Sequence, residues 1–388
     1  MTEQEILFAI TKDKLETGLR GFPVGYCTTS VVDPTKGLFY VGRPVKELAG
    51  WSPEEVIYLI MFGKKGSSKE IADFFKDLQK RSKLLPETVK AIQKLPTKGS
   101  PTKLFSAALL IVGMLEGKGD YREDCLNLIA KAPHMVATVI NHHAGWGETP
   151  EPHPELGYME NFAQMVKVPG ANLQKLTEAF RLFNILHYDH GGGNLSTFVG
   201  KAVASGLEDM YGSICGAMCG LEGPRHGRAN QDCLEFLREV LEEVGENATL
   251  SGVEKLIRDR LASNKLVFGF GHAVLRVEDP RAQVVYEYLQ KHYPTHVLAK
   301  IALLLRQAGP KVLAENPKIQ DPYPNIDAVS GTLLVAAGFD YPEYFTVLFG
   351  LSRIVGIARQ IVYERLEARE GKGTPIVRPK YLYSGPKV

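Results

Sequence analysis

Along most of the chain apolar residues return with a period near 3.6, the pattern of helices that bury one face. "SPEEVIYLIMFGK" (52–64) opens with a serine cap and two glutamates, and "SSKEIADFFKDLQKRSK" (67–83) repeats the device with Ser68 and Glu70. Further helical patterns lie near 86–94, 102–116, 122–142, 172–187, 195–220, 230–245, 252–263, 280–292, 296–308, 327–338 and 342–369. Only "VGYCTTSVVDPTKGLFYVG" (24–42) reads as strands around a turn, with Asp33-Pro34 and Lys36-Gly37 as breakers. The predicted class is all-α with one small N-terminal β-hairpin, without internal repeats or low-complexity tracts.

Two loop-rich stretches suggest hinges, "LEGPRHG" (221–227) and "AENPKIQDPYPNID" (314–327). They divide the chain into a large helical domain, 1–227 with 327–388, and a smaller one, 228–326, with a cleft between them suited to small ligands.

Composition narrows the function. The 388 residues carry 46 basic and 44 acidic side chains, a net charge of +2, which gives neither nucleic acid nor a membrane surface a dominant sign to bind. The longest apolar run, "LFSAALLIVGML" (104–115), is too short to cross a bilayer. Five cysteines are too few and odd in number for a disulfide framework, and the N-terminus lacks the features of a signal peptide. These features lead to the expectation of a cytoplasmic protein, or of an organellar one with its targeting segment removed.

Four places carry candidate chemistry. In "CGLEGPRHGRANQD" (219–232), His226 sits among glycines that permit close backbone approach to a ligand. Its neighbours Arg225 and Arg228 are expected to favour the neutral imidazole. "VFGFGHAVLRVEDPR" (267–281) has Gly-x-Gly but no third glycine and follows a predicted helix, so it fails the dinucleotide fingerprint. What remains there is His272, with Arg276 and Arg281 after it. In "YPNIDAVSGTLL" (323–334), Asp327 stands where either a helix cap or a functional carboxylate would serve. Arg353, in "YFTVLFGLSRIVGIARQIVYER" (344–365), lies on an apolar stripe with Phe349 and Ile357 four residues to either side. A guanidinium buried there demands an anion, either a protein carboxylate or a substrate carboxylate.

Other histidines carry less. His142, His143, His153, His292 and His296 read as surface residues, and His187 and His190 in "HYDHGGGN" lack the third ligand a zinc site needs. Cys215 and Cys219 lie among small residues suited to tight helix packing. No metal site is expected.

Six segments in order, "HYDHGGGNLS", "GLEGPRHGRAN", "GFGHAVLRVEDPR", "PNIDAVSG", "SRIVG" and "VRPK", resemble the signature segments of citrate synthases. The resemblance implies an all-helical homodimer whose domains close over oxaloacetate and acetyl-CoA, both substrates, with no cofactor. By motif it implies that His226 polarises the thioester carbonyl, Asp327 removes the methyl proton and His272 protonates the oxaloacetate carbonyl. His190, Arg281, Arg353 and Arg378 match oxaloacetate ligands, the last donated across the dimer. Arg276 and Lys318 match coenzyme A contacts, and Ser196 stands where the family orients the GPxHG histidine. Gly191 replaces a frequent Glu and Arg225 a common Leu. The alternatives are a 2-methylcitrate synthase using propionyl-CoA and a helical binding protein that has lost catalysis.

Overall fold

The computed structural model describes residue 6 and residues 8–386. The N-terminal stretch that bears on a signal peptide therefore lies partly outside the described residues. Sixteen α-helices, two short 3-10 turns, one π-helical turn and one small sheet make up the regular structure described, an all-α protein with a small N-terminal sheet as expected. The first half holds α1 (Val45–Leu48), α2 (Pro53–Phe62), α3 (Ser68–Arg81), α4 (Pro86–Ile92), α5 (Pro101–Glu116), α6 (Tyr121–Ala144), α7 (Tyr158–Met165) and α8 (Leu173–His187). Then come α9 (Leu195–Ser205), α10 (Met210–Leu221), α11 (Ala229–Val244), α12 (Leu250–Ala262), α13 (Pro280–His292), α14 (Val297–Leu313), α15 (Asp327–Ala336) and α16 (Phe345–Val362).

Local chemistry explains most boundaries. Ser52 and Glu55 form a reciprocal capping box before α2. Before α3 the cap is Ser67 rather than Ser68, because the side chain three residues on must reach back, and Glu70 does so to Ser67. The single pattern over 195–220 divides into α9 and α10, where Leu207 turns at φ 71° and Asp209 caps the new helix by accepting the Gly212 N–H at 2.8 Å. The short helices α1 and α7 escaped the periodic reading. Neither has a side-chain cap bond at its N-cap, and α7 begins after glycine.

Strands β1 (Ser30–Asp33), β2 (Gly37–Tyr40) and β3 (Arg43–Pro44) form an antiparallel sheet in the order β1-β2-β3, one strand more than a hairpin. Its β1–β2 turn docks on the segment entering α13. Pro34 O accepts the Arg276 N–H at 2.8 Å, and a Cβ at Gly37, where φ is 94°, would collide with the Pro280 ring.

The core centres on α16, which packs against α6, α8, α9 and α10. Every residue of α16 except Arg359 is buried, so this apolar helix is covered by protein. Small residues let the helices approach as the Cys215–Cys219 stretch suggested: a Cβ on Gly200 would lie 3.1 Å from Ala217 Cβ. A second layer consists of α11, α12, α13 and α14, and α15 packs on α11, α13 and α14 of that layer. The site residues lie at the loops where this layer meets α8, α9 and α16.

Candidate active site

Three loops, together with helices α9, α13, α15 and α16, deliver the side chains. His226 lies in the turns between α10 and α11. Its Nε2 lies 2.9 Å from Ser196 Oγ and accepts the backbone N–H of Ser196 at 3.3 Å. An N–H can only donate, so Nε2 is unprotonated and the ring proton sits on Nδ1. Asn194 supports the arrangement: its Oδ1 accepts the Thr197 N–H at 3.1 Å, capping α9, and lies 3.0 Å from Ser196 Oγ. Burial, then the charge of Arg353, pull the His226 pKa down to about 4. Arg225 and Arg228 are exposed, and the expectation that they hold His226 neutral is corrected. The charge responsible is remote in sequence, 127 residues away.

His272 sits between α12 and α13. Its Nδ1 accepts the backbone N–H groups of Val274 and Leu275 at 3.0 and 2.9 Å, so its proton is on Nε2. Burial and then Arg281 lower its pKa to about 4. Gly269 and Gly271, both at φ 83°, bring this loop against the residues before Asp327. Asn325 N–H donates to Gly269 O at 2.9 Å, Gly271 N–H to Tyr323 O at 3.0 Å, and Asn325 Nδ2 to Gly271 O at 2.9 Å. These glycines therefore serve a backbone pairing that fixes His272 relative to Asp327.

Asp327 is the first residue of α15, but it does not cap it. Asn325 Oδ1 accepts the Asp327 N–H at 2.9 Å, which frees the Asp327 carboxylate from capping. Among the described residues that carboxylate accepts no hydrogen bond and has no cation within 4.0 Å, as if reserved for a ligand. Burial raises its pKa to about 6, with the Asp279 charge adding and Arg281 and Arg353 opposing.

The two buried arginines differ. Arg281 pairs through Nε and Nη2 with Asp279, the closer contact 2.7 Å, and Nη2 also donates to His190 Nε2 at 3.3 Å. Asp279 in turn caps α13 and accepts the Ile326 N–H at 3.3 Å, tying Arg281 to the Asp327 segment. Arg353 is 2 % exposed, yet among the described residues no carboxylate lies within 4.0 Å of it. Its Nε donates to His187 O at 2.9 Å, and its guanidinium sits 4.7 Å from the Phe349 ring centroid. Burial, partly offset by Asp189, lowers its pKa to about 10, so it remains charged at neutral pH. A protein carboxylate does not answer the demand that the sequence placed on this residue.

His190 lies beside this pair, its ring 5.2 Å from that of His272, and burial followed by Arg281 and Arg353 holds it well below the usual histidine range. The structure thus brings His190, His226, His272, Arg281, Arg353, Asp327 and Ser196 into one network of contacts and fields. It leaves Arg276, Lys318 and Arg378 exposed and outside that network. Arg276 folds back to donate to Leu275 O at 2.7 Å. Sequence reasoning passed over Asp279, Asn325 and Asn194; the Asp-Pro and Asn positions before helices were their signals. His187 is buried, with burial and Arg281 lowering its pKa to about 3. His142 and His143, expected at the surface, are half-buried and bonded to Leu95 O and to the Tyr344 hydroxyl, both at 2.8 Å.

A family model described as "Citrate synthase, C-terminal domain" matches residues 18–380. The chain belongs to the citrate synthase family. A mitochondrial citrate synthase of Citrus maxima is 34% identical over 96% of this chain and 82% of its own length. A peroxisomal citrate synthase of Saccharomyces cerevisiae is 33% identical over 94% and 82%. Among solved structures, citrate synthase from Thermotoga maritima matches with a TM-score of 0.81 at 27% identity, covering 96% of both chains. The Thermoplasma acidophilum citrate synthase, solved as a ternary complex with carboxymethyl coenzyme A and oxaloacetate, matches with a TM-score of 0.81 at 26% identity over 95% of this chain and 96% of that one. The cytoplasmic placement expected from the sequence is overturned by these citrate synthase relatives, which are mitochondrial or peroxisomal. Sparse cysteines exclude a disulfide scaffold but do not distinguish among reducing compartments.

The raised Asp327 pKa has a thermodynamic consequence. Its stability contribution is fully present below the unfolded value of 3.8 and is lost as pH rises through about 6. Asp327→Asn removes that loss. The substitution should therefore stabilise the ligand-free protein at pH 8 by roughly 1–3 kcal/mol more than at pH 4. Denaturant unfolding of both proteins at the two pH values checks this, and an equal difference at both would refute the raised pKa.

Proposed function

We propose that the chain condenses acetyl-CoA with oxaloacetate and hydrolyses the citryl-CoA intermediate to citrate and CoA. One observation carries the reading: a carboxylate free of hydrogen bonds, with its pKa pushed up to about 6, shares a site with two neutral histidines whose protons are assigned by backbone donors. Asp327 takes a proton from the thioester methyl group. The charge that develops on the thioester oxygen is met by the His226 Nδ1–H, a neutral donor that gives a hydrogen bond without surrendering its proton prematurely. The enolate carbon then bonds to the keto carbon of oxaloacetate, whose oxygen takes the proton from His272 Nε2. Water cleaves the thioester, and the CoA thiol leaves.

Arg353 and Arg281 hold the substrate carboxylates, with His190 beside them. Arginine's planar fork suits a carboxylate, and Arg353 lacks a protein carboxylate to displace. Oxaloacetate binds first and draws the unit 228–326, together with α15, toward the rest of the chain. Closure completes the acetyl-CoA site and excludes water. Arg276 and Lys318, on exposed loops of that unit, hold coenzyme A phosphates.

The active species is a homodimer. Leu110, Met114 and Leu115 on α5, Leu195 on α9 and Leu207 after it leave apolar surface exposed on the single chain. Beside this face the tail is tied down, with Val377 N–H donating to Ser205 Oγ at 2.9 Å, and Arg378 projects from that anchor. Arg378 completes the site of the second subunit.

Thiol release from acetyl-CoA should require oxaloacetate, and Asp327→Asn should lower kcat by about 10²–10⁴-fold while oxaloacetate still binds. The wild-type rate should fall as pH drops through about 6 as the base protonates. Thiol release by Asp327→Asn at more than a tenth of the wild-type rate, a barrier raised by less than about 1.4 kcal/mol, would remove the base assignment.

Mixing separately inactive Arg378→Ala and Asp327→Asn chains tests the shared site. If Arg378 crosses the dimer, a mixed dimer has one site with both lesions and one with neither, so activity returns. Confirmed subunit exchange without recovery would place Arg378 in its own subunit's site or outside both.

A further inference from the structure

Asp189 immediately precedes His190, is fully buried, and has no part in the chemistry described above. Four donors converge on its carboxylate. Oδ2 accepts the hydroxyls of Thr29 and of Ser30, the latter at 2.8 Å, and Oδ1 accepts the His190 N–H and Gln360 Nε2, both at 2.9 Å. Ser30 Oγ also accepts the Gly191 N–H at 2.7 Å, so strand β1 grips the His190 loop twice. On the other side the carboxylate presses on α16, one turn from Arg353: a Cβ at Gly356 would lie 2.5 Å from Asp189 Cγ. Backbone and amide N–H groups can only donate, so Oδ1 is held as an acceptor; burial raises the Asp189 pKa, and the Thr29 and Ser30 hydroxyls, Arg353 and the His190 N–H oppose that rise. Its charge is the largest favourable influence on the Arg353 guanidinium, although the two make no ion pair within 4.0 Å.

We propose that Asp189 is a positioning residue for oxaloacetate binding, which holds the His190 loop in place and supplies a counter-charge that four hydrogen bonds keep out of contact with Arg353. Were the carboxylate free to rotate onto the guanidinium, it would compete with the substrate. Were it absent, Arg353 would lose the largest favourable charge acting on it, and the His190 loop would lose its anchor to β1 and α16. The role rests on the reading of the site as an oxaloacetate site.

The test measures oxaloacetate binding by calorimetry, and steady-state constants, for the full-length protein and its Asp189→Asn, Ser30→Ala and Ser30→Thr variants. Asp189→Asn keeps the size, removes the charge and sets an NH2 against two donors. Its Kd and KM for oxaloacetate should rise about tenfold or more, while the KM for acetyl-CoA at saturating oxaloacetate changes by less than about twofold. Ser30→Ala should shift oxaloacetate constants the same way, and Ser30→Thr, which retains the hydroxyl, should restore them. If Asp189→Asn does not fold, the Ser30 pair decides. Unaltered oxaloacetate affinity in the variants, with only a lowered melting temperature, would overturn the role of Asp189 alone. Absence of oxaloacetate binding by the unsubstituted protein would overturn the functional reading and this role together.

Discussion

A buried guanidinium without a contacting carboxylate organises this site. Arg353 lies on the most deeply packed helix of the protein, and burying a charge there is costly unless something offsets it. The His187 carbonyl, the Phe349 ring and the field of Asp189 offset part of that cost. None of them occupies the fork that a carboxylate would fill. The fold thereby holds an unmet demand for an anion in the centre of the protein, and the positive field it creates reaches its neighbours. His226, His190 and His187 all have pKa values lowered by Arg353 in addition to burial.

The two arginines divide the work. Arg281 is neutralised by Asp279, and the pair joins the α13 N-terminus, His190 and the chain ahead of Asp327. This is a hub that sets distances between loops. Arg353 has no such partner and retains its affinity for ligand. Asp327 feels both: burial raises its pKa to about 6, and the two cations keep it from rising further. A carboxylate poised there is ionised at neutral pH yet basic enough to take a proton from carbon with help at the adjacent oxygen. The neutral histidines and the raised carboxylate thus follow from one arrangement of burial and cations.

Much of this was legible in the sequence because it is local. Ser52 announces α2 within four residues, the α3 cap falls one residue before the Ser68 that the pattern suggested, and Arg353 on an apolar stripe is anomalous by its spacing alone. The ordered motifs around His226, His272 and Asp327 identify the family. What stayed hidden depends on contacts distant in sequence. Arg225 and Arg228 adjoin His226 in sequence but turn to solvent, whereas Arg353 reaches it through the fold. Asp189 acquires its meaning from Thr29, Ser30 and Gln360, separated from it by as many as 171 positions. The capping ambiguity at Asp327 was resolved by Asn325, two residues away, whose side chain had to be placed before the carboxylate could be called free. Cellular location left no decisive mark on the composition.

Burial and the Arg353–Arg281 field keep the site histidines neutral, with protons on His226 Nδ1 and His272 Nε2. Nitrogen-15 NMR of histidine-labelled protein, titrated from pH 8 to pH 5 and assigned with His226→Gln and His272→Gln variants, reads both the charge and the tautomer. Neither ring should become imidazolium across that range, and the two rings should show opposite tautomers. Titration of either ring near 6.5, the unperturbed value, or a proton on His226 Nε2, would contradict this assignment.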